Sequence, residues 1–160
     1  GTDCLDVEPF ELSHNHTQID QYINRLYASG GTAGHQSVAW GWYLISPEWS
    51  DVFDNHAEPL SYEEPDTVKA MIIMTDGEFN SQEYGGQGSS KEQAKALCDK
   101  IKGAGVVVYT IAFQAPDEGE EVLAYCATKD EFALTAANGQ ELKDQYQYIA
   151  TSISDLRIKS

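Results

Sequence analysis

The chain has 160 residues, of which 41% are hydrophobic and 22% charged, so it is long enough for one domain with a core and does not have the composition of a disordered segment. Ten basic and 26 acidic residues give a net charge of −16, and this negative field disfavours binding to nucleic acid or to anionic membrane surfaces. No apolar run approaches the roughly 20 residues of a membrane span, so we expect no membrane contact by this segment.

The first half of the chain predicts two helices. Residues 17–28 place apolar side chains at helical spacing behind Thr17 as a possible N-cap, and Gly30 follows as a stop signal. A second helix is predicted from Gly34 to Ser46, because Pro47 disfavours helical dihedrals in the residue before it.

Residues 47–66 predict an exposed acidic excursion between elements. This stretch contains seven acidic residues, three prolines and no Lys or Arg. Calcium binding there is the weaker interpretation, since the carboxylates lack the alternate spacing and central glycine of an EF-hand loop.

The second half alternates strands with helices. Met71 to Met74 form an apolar run without alternation, which predicts a strand covered on both faces and ending at Asp76. Residues 106–113 and 132–136 predict two further strands, with helices at 91–105 and 120–126 before them.

A last helix is predicted at the end of the chain. Asn138 and Glu141 form a plausible capping box, followed by one apolar stripe consisting of Leu142, Tyr146, Ile149 and Ile153. The whole pattern predicts an α/β fold with a parallel sheet and helices on both faces. Three strands are few for five helices, so we expect further strands upstream.

Two polar residues occupy positions where ligands bind in such folds. Asp76 follows the first strand, at the carboxyl edge of the sheet, and Thr32 lies in a Gly-Gly-Thr loop just before a helix. Each residue also has a simpler interpretation, since Thr32 could cap the helix and Asp76 could form an Asp-Gly turn.

The histidines and tryptophans have ordinary interpretations. His14 and His16 suit zinc or copper, but two ligands do not make a site, and surface-loop histidines are the simpler interpretation. We expect Trp40, Trp42 and Trp49 to be packing anchors and not a platform on which a ligand stacks.

The pair Thr32 and Asp76 resembles the second half of the metal site of a von Willebrand factor A domain. There a divalent ion is held by an upstream Asp-x-Ser-x-Ser loop, a later threonine and an aspartate from a Thr-Asp-Gly turn. Here "SGGTAG" supplies Thr32 and "MTDGE" supplies Asp76.

The resemblance extends over nearly the whole chain to the C-terminal part of the TadG-like proteins of the tight-adherence (Flp) pilus system. It is carried by "GGTAGHQSVAWGWYLISPEW", "MIIMTDGEFN", "ALCDKIKGAGVVVYTIAF", "VLAYCATKDEFALTA" and "ELKDQYQYIATSISDLRI". No Asp-x-Ser-x-Ser occurs in the sequence. The resemblance therefore implies that residues 1–160 are the C-terminal portion of a single, Rossmann-like von Willebrand factor A domain without its N-terminal strands.

The resemblance also implies a function. It implies a non-enzymatic adhesion or assembly module outside the cytoplasm, anchored upstream, in which Mg²⁺ (or Mn²⁺ or Ca²⁺) bridges to an acidic side chain of a partner protein. Thr32 and Asp76 alone would hold the ion weakly.

The resemblance bears on the three cysteines as well. Cys98 and Cys126 lie on neighbouring predicted helices and suit either two buried thiols or one bridge. The extracytoplasmic location that the resemblance implies favours the disulfide. Cys4 is then the odd cysteine, outside this pair.

Two other functions remain open. One is a structural scaffold domain whose metal site has decayed. The other is a metal-dependent hydrolase that uses Asp76 or the histidines, although the sequence contains no nucleophile elbow, phosphate loop or Ser-His-Asp set at recognisable motif positions.

Overall fold

A computed structural model describes residues 7–27, 32–53, 58–82 and 85–159. The α-helices are α1 (His16–Ile23), α2 (Gly34–Ile45), α3 (Ser90–Gly103), α4 (Asp117–Cys126) and α5 (Gly139–Lys159). The strands are β1 (Ala70–Thr75), β2 (Val107–Phe113) and β3 (Ala133–Ala136), and short 3₁₀ helices span Pro47–Val52, Gly85–Gln87 and Asp130–Phe132.

The three strands form one parallel sheet in the order β1-β2-β3. α3 connects β1 to β2, and α4 connects β2 to β3, so the predicted βαβαβ alternation is confirmed. The parallel sheet brings the carboxyl ends of all three strands to one edge of the molecule.

Helices cover both faces of the sheet. On one face, α2, α3 and α4 bury a cluster that includes Val38, Ile73, Ala94, Val108 and Val122. On the other face, α5 packs its Ile149 against Tyr109 and Ile111 of β2. The central strand β2 is thus buried on both sides, as its continuous apolar sequence indicates.

The strand β1 differs from the prediction that both of its faces are covered. Met71 and Ile73 are buried beneath the helices, but Ile72 is 39% and Met74 is 47% exposed. α5 packs mainly against β2 and β3, and its Tyr146 hydroxyl lies 3.7 Å from Met74 Sδ of β1. Among the described residues β1 is an edge strand with one partly open face.

The N-terminal helix also differs from its prediction. Its N-cap is Asn15, whose Oδ1 accepts a hydrogen bond from the Gln18 amide, and not Thr17. The helix ends at Ile23, and the amides of Arg25 and Leu26 donate to carbonyls three residues back instead of four. No α1 side chain in the described chain is fully buried, but Tyr22 of its apolar stripe stacks on Phe10 with a centroid distance of 4.8 Å.

The caps of the later helices follow sequence rules. Asn138 Oδ1 accepts hydrogen bonds from the Gln140 and Glu141 amides, which confirms Asn138 as the N-cap of α5. The second half of the predicted capping box differs, because the Glu141 carboxylate accepts from the Ala137 amide and Asn138 Nδ2. α3 begins with a capping box that the sequence analysis missed, in which Ser89 and Glu92 bond each other reciprocally. The hydrogen bonds from Ser89 hold the pKa of the Glu92 carboxyl below its usual range.

Thr110, at the centre of β2, gives a prediction about stability. Its Oγ1 is fully buried and has no hydrogen-bond partner in the described chain. Burying an unpaired hydroxyl costs free energy, so Thr110→Val should raise the free energy of unfolding by about 1 kcal/mol in urea denaturation.

Thr135→Val is the matched control, because Thr135 lies exposed on β3 of the same sheet and should change stability little. A Thr110→Val variant less stable than the wild type would show that the hydroxyl has a partner after all.

Candidate metal centre

The turn after β1 presents Asp76 at the carboxyl edge of the sheet. The Gly77 amide donates to Thr75 Oγ1 at 3.1 Å, so the Thr75 hydroxyl folds the chain sharply after the strand. Asp76 lies between the two residues that this bond joins, and it is exposed. Its carboxylate is therefore accessible to a ligand, and the hydroxyl next to it is already committed to the turn.

Thr32 lies directly against this turn. A Cβ atom placed on Gly77 would be 3.0 Å from Thr32 Oγ1. The Ser81 amide donates to the Thr32 carbonyl at 3.2 Å, which joins the two loops through their backbones. The structure thus places the loop before α2 in contact with the loop that carries Asp76.

Thr32 does not cap α2, which was its simpler interpretation. The N-cap position of α2 is Ala33, and it has no side-chain hydrogen bond to the helix. The Thr32 side chain is half-buried. Its hydroxyl is therefore not used to satisfy the first amides of α2.

Two glycines allow the helices to approach the turn closely. A Cβ atom on Gly119, in the first turn of α4, would lie 2.6 Å from the Gly77 carbonyl oxygen. A Cβ atom on Gly34, the first residue of α2, would overlap the buried ring of Phe79. The turn from Asp76 to Phe79 is accordingly packed between α2 and α4, which makes it a rigid support for the Asp76 carboxylate.

The chemistry of the two side chains suits a hard cation. A threonine hydroxyl and a carboxylate are oxygen ligands of the kind that Mg²⁺ and Mn²⁺ prefer. Within residues 7–27, 32–53, 58–82 and 85–159, no group of three or more His, Cys, Asp or Glu side chains is placed to hold a metal ion. Thr32 and Asp76 therefore fit such an ion as part of a ligand set and not as a whole one.

A Ser-His pair lies near this edge and was not found from the sequence. His35 Nδ1 is 2.8 Å from Ser90 Oγ, which links the first turn of α2 to the first residue of α3. Burial lowers the pKa of His35, and Ser90 is fully buried. Because Ser90 is fully buried in the described chain, this pair links the two helices inside the fold.

The disulfide implied by the family resemblance is present in the structure. Cys98 of α3 and Cys126 of α4 have an S–S distance of 2.00 Å and a Cα–Cα distance of 5.1 Å. Both side chains are buried on the same face of the sheet. Cys4 lies outside the described residues.

The predictions for the tryptophans and histidines have different outcomes. Trp42 is a packing anchor as expected, with its Nε1 donating to Tyr62 Oη at 2.9 Å and its ring against the core. Trp40 is not, because 42% of it is exposed. His14 and His16 lie on the surface.

The described parts of the acidic excursion, residues 47–53 and 58–66, are less uniformly exposed than predicted. Residues 47–52 form a 3₁₀ helix whose N-cap is the Ser46 side chain. Tyr62 packs against the core further along the excursion. The acidic side chains of the excursion that the structure describes are exposed.

The fold defines this chain as a mixed α/β protein with a three-stranded parallel sheet, consistent with a Rossmann-like arrangement. Among solved structures it is similar to proximal thread matrix protein 1 from the mussel byssus, with a TM-score of 0.55 and 21% sequence identity. The similarity covers 80% of this chain and 28% of that one. No family model matches the chain, and no curated protein does.

No helix in the described residues is both long enough and apolar enough to cross a bilayer.

Proposed function

We propose that this chain belongs to a von Willebrand factor A-like domain that binds a partner protein through a divalent metal ion and does not catalyse a reaction. The observation that carries the proposal is the contact between the Thr32 hydroxyl and the turn bearing Asp76. Thr32 and Asp76 are more than 40 residues apart in sequence, and the hydrogen bond from the Ser81 amide to the Thr32 carbonyl joins their loops.

In this proposal Thr32 and Asp76 supply two oxygen ligands to Mg²⁺, or to Mn²⁺ or Ca²⁺. Water and an upstream Asp-x-Ser-x-Ser loop supply others, and the partner supplies an acidic side chain. The ion would act as an electrostatic bridge between two proteins, because both offer it carboxylates that would otherwise repel each other.

The partly open strand β1 supports the proposal that further strands belong to this sheet. Ile72 and Met74 are large apolar side chains on a face that α5 does not fully cover. A neighbouring strand with its own covering helix would bury them. The domain of which residues 1–160 form the C-terminal portion would then place its first metal-binding loop beside Asp76.

The proposed setting is the tight-adherence pilus system of a bacterial cell envelope, with the domain outside the cytoplasm and anchored upstream. The Cys98–Cys126 disulfide supports this location, since such bonds persist in oxidising compartments. A scaffold domain with a decayed metal site is the second candidate. It is favoured by the small number of ligands within the described residues.

Metal affinity separates the two candidates. We expect the chain to bind Mg²⁺ with a dissociation constant near or above about 1 mM, since it supplies only two directed side-chain ligands. Addition of about 1 mM Mg²⁺ should then raise the free energy of unfolding by only about 0.4 kcal/mol. Asp76→Ala should abolish both effects in calorimetric titration, whereas Glu63→Ala in the acidic excursion should preserve them.

Micromolar Mg²⁺ binding that persists in Asp76→Ala would place the ion elsewhere, with the 47–66 excursion as the next candidate. Absence of any Asp76-dependent binding, even at tens of millimolar Mg²⁺, would support the scaffold.

A further inference from the structure

An aromatic cluster lies along the C-terminal half of α2, in which Trp40 is exposed and Tyr43 and Trp49 are half-buried. Trp40 and Tyr43 are three residues apart on this helix, with ring centroids 5.8 Å apart in an edge-to-face arrangement. Trp49 of the following 3₁₀ helix stacks on Tyr43 with a centroid distance of 3.8 Å. The three rings therefore form one continuous group that is partly open to solvent.

The 3₁₀ helix adds carboxylates to this cluster. Because a 3₁₀ helix has three residues per turn, Glu48 and Asp51 lie on one side and Trp49 and Val52 on the next. Both acidic residues are exposed, and Val52 is 64% exposed. We call this group the aromatic–acidic surface; it consists of Trp40, Tyr43, Glu48, Trp49, Asp51 and Val52.

No cation of the described chain occupies this surface. The sequence contains no Lys or Arg between Arg25 and Lys69. Lys69 Nζ donates to the Ile45 carbonyl at 2.7 Å and lies 5.1 Å from the ring centre of Tyr62, so it is already used. Elsewhere among the described residues, the lysine–ring contacts are made with Tyr125 and Phe132.

We propose that the aromatic–acidic surface binds a lysine- or arginine-rich segment of a partner protein. Ring faces attract cations, arginine also stacks on them, and the adjacent carboxylates complement the same charge. The net charge of −16 argues against a second copy of the chain, an anionic lipid or a nucleic acid as the occupant. This surface is separate from the candidate metal centre, because Thr32 lies just before the start of α2 and the aromatic residues lie in its C-terminal half.

The three tryptophans provide the assay. In ¹⁵N-labelled protein, we expect a synthetic octapeptide of alternating arginine and glycine to shift the indole N–H signals of Trp40 and Trp49. The Trp42 signal should stay in place, because its N–H is bonded to Tyr62. The affinity should fall as salt is added, and an octapeptide of alternating glutamate and glycine should cause no shift.

Matched variants distinguish binding at the aromatic–acidic surface from a general effect of the net charge. We expect Trp40→Ala to weaken binding of the arginine peptide about threefold, and Glu48→Gln with Asp51→Asn to do so by about the same factor. Asp144→Asn with Asp155→Asn makes the same charge change on α5, on the other face of the sheet, and should leave the affinity unchanged.

Three results would overturn the proposal. One is the absence of shifts at Trp40 and Trp49 with the arginine peptide. Another is equal weakening by the α5 control, which would reduce the effect to net charge. The third is salt-independent binding of maltoheptaose at the same two rings with no response to the peptide, which would identify a neutral glycan surface.

Discussion

Gly119→Ala should lower the free energy of unfolding by roughly 2 kcal/mol, although alanine is the better helix former. The added methyl group would lie 2.6 Å from the Gly77 carbonyl oxygen, and this obstacle is backbone that cannot rotate away. Either α4 or the turn carrying Asp76 must move. Urea denaturation measures the loss, and metal affinity should fall with it because the turn supports the candidate ligand.

Gly103→Ala is the matched control for this substitution. Gly103 ends α3, and apart from its chain neighbours and its own helix backbone no heavy atom lies within 4 Å of the position its Cβ would take. Alanine there should stabilise the protein by up to about 1 kcal/mol. If Gly119→Ala gave a similar gain, α4 would not be pressed against the Gly77 carbonyl.

Replacing Cys98 and Cys126 together by alanine should cost about 3–4 kcal/mol of stability. The bridge closes a loop with a sequence separation of 28 residues, and opening it restores that much chain entropy to the unfolded state. The bridge also joins α3 to α4 within the core cluster on one face of the sheet. Urea denaturation of the wild type and the double variant gives the difference.

Reducing agent provides the control for the disulfide. It should destabilise the wild type to about the level of the Cys98→Ala, Cys126→Ala variant and should leave that variant unchanged. The unfolded wild type should release at most one titratable thiol per chain before reduction. Three thiols before reduction would refute the bridge.

The alternating second half of the fold could be predicted because each element carries its own signal. The β-branched run of β2, the apolar stripe of α5 and the cap at Asn138 are local patterns, and each appears where it was expected. β1 shows the limit of this reasoning. Its apolar run indicates that both faces suit burial, but only the packing of α5 shows which face the described chain covers.

The candidate site was partly accessible from the sequence. The edge position of Asp76 followed from its place after a strand. The contact of Thr32 with Gly77 depends on how α2 and α4 pack, and no periodicity encodes that. The start of α1 was misplaced because two neighbouring residues, Asn15 and Thr17, could both act as the N-cap, and the structure uses Asn15.

The central claim is that Thr32 and Asp76 share one divalent ion, and paramagnetic broadening by Mn²⁺ tests it most directly. Mn²⁺ takes the same oxygen ligands as Mg²⁺ and broadens the signals of nearby amides. On titration of the ¹⁵N-labelled chain, the amides of Thr32, Gly77 and Ser81 should broaden first, and Asp76→Asn should remove this effect. Broadening centred on the 3₁₀ helix Pro47–Val52 that persists in Asp76→Asn would contradict the account.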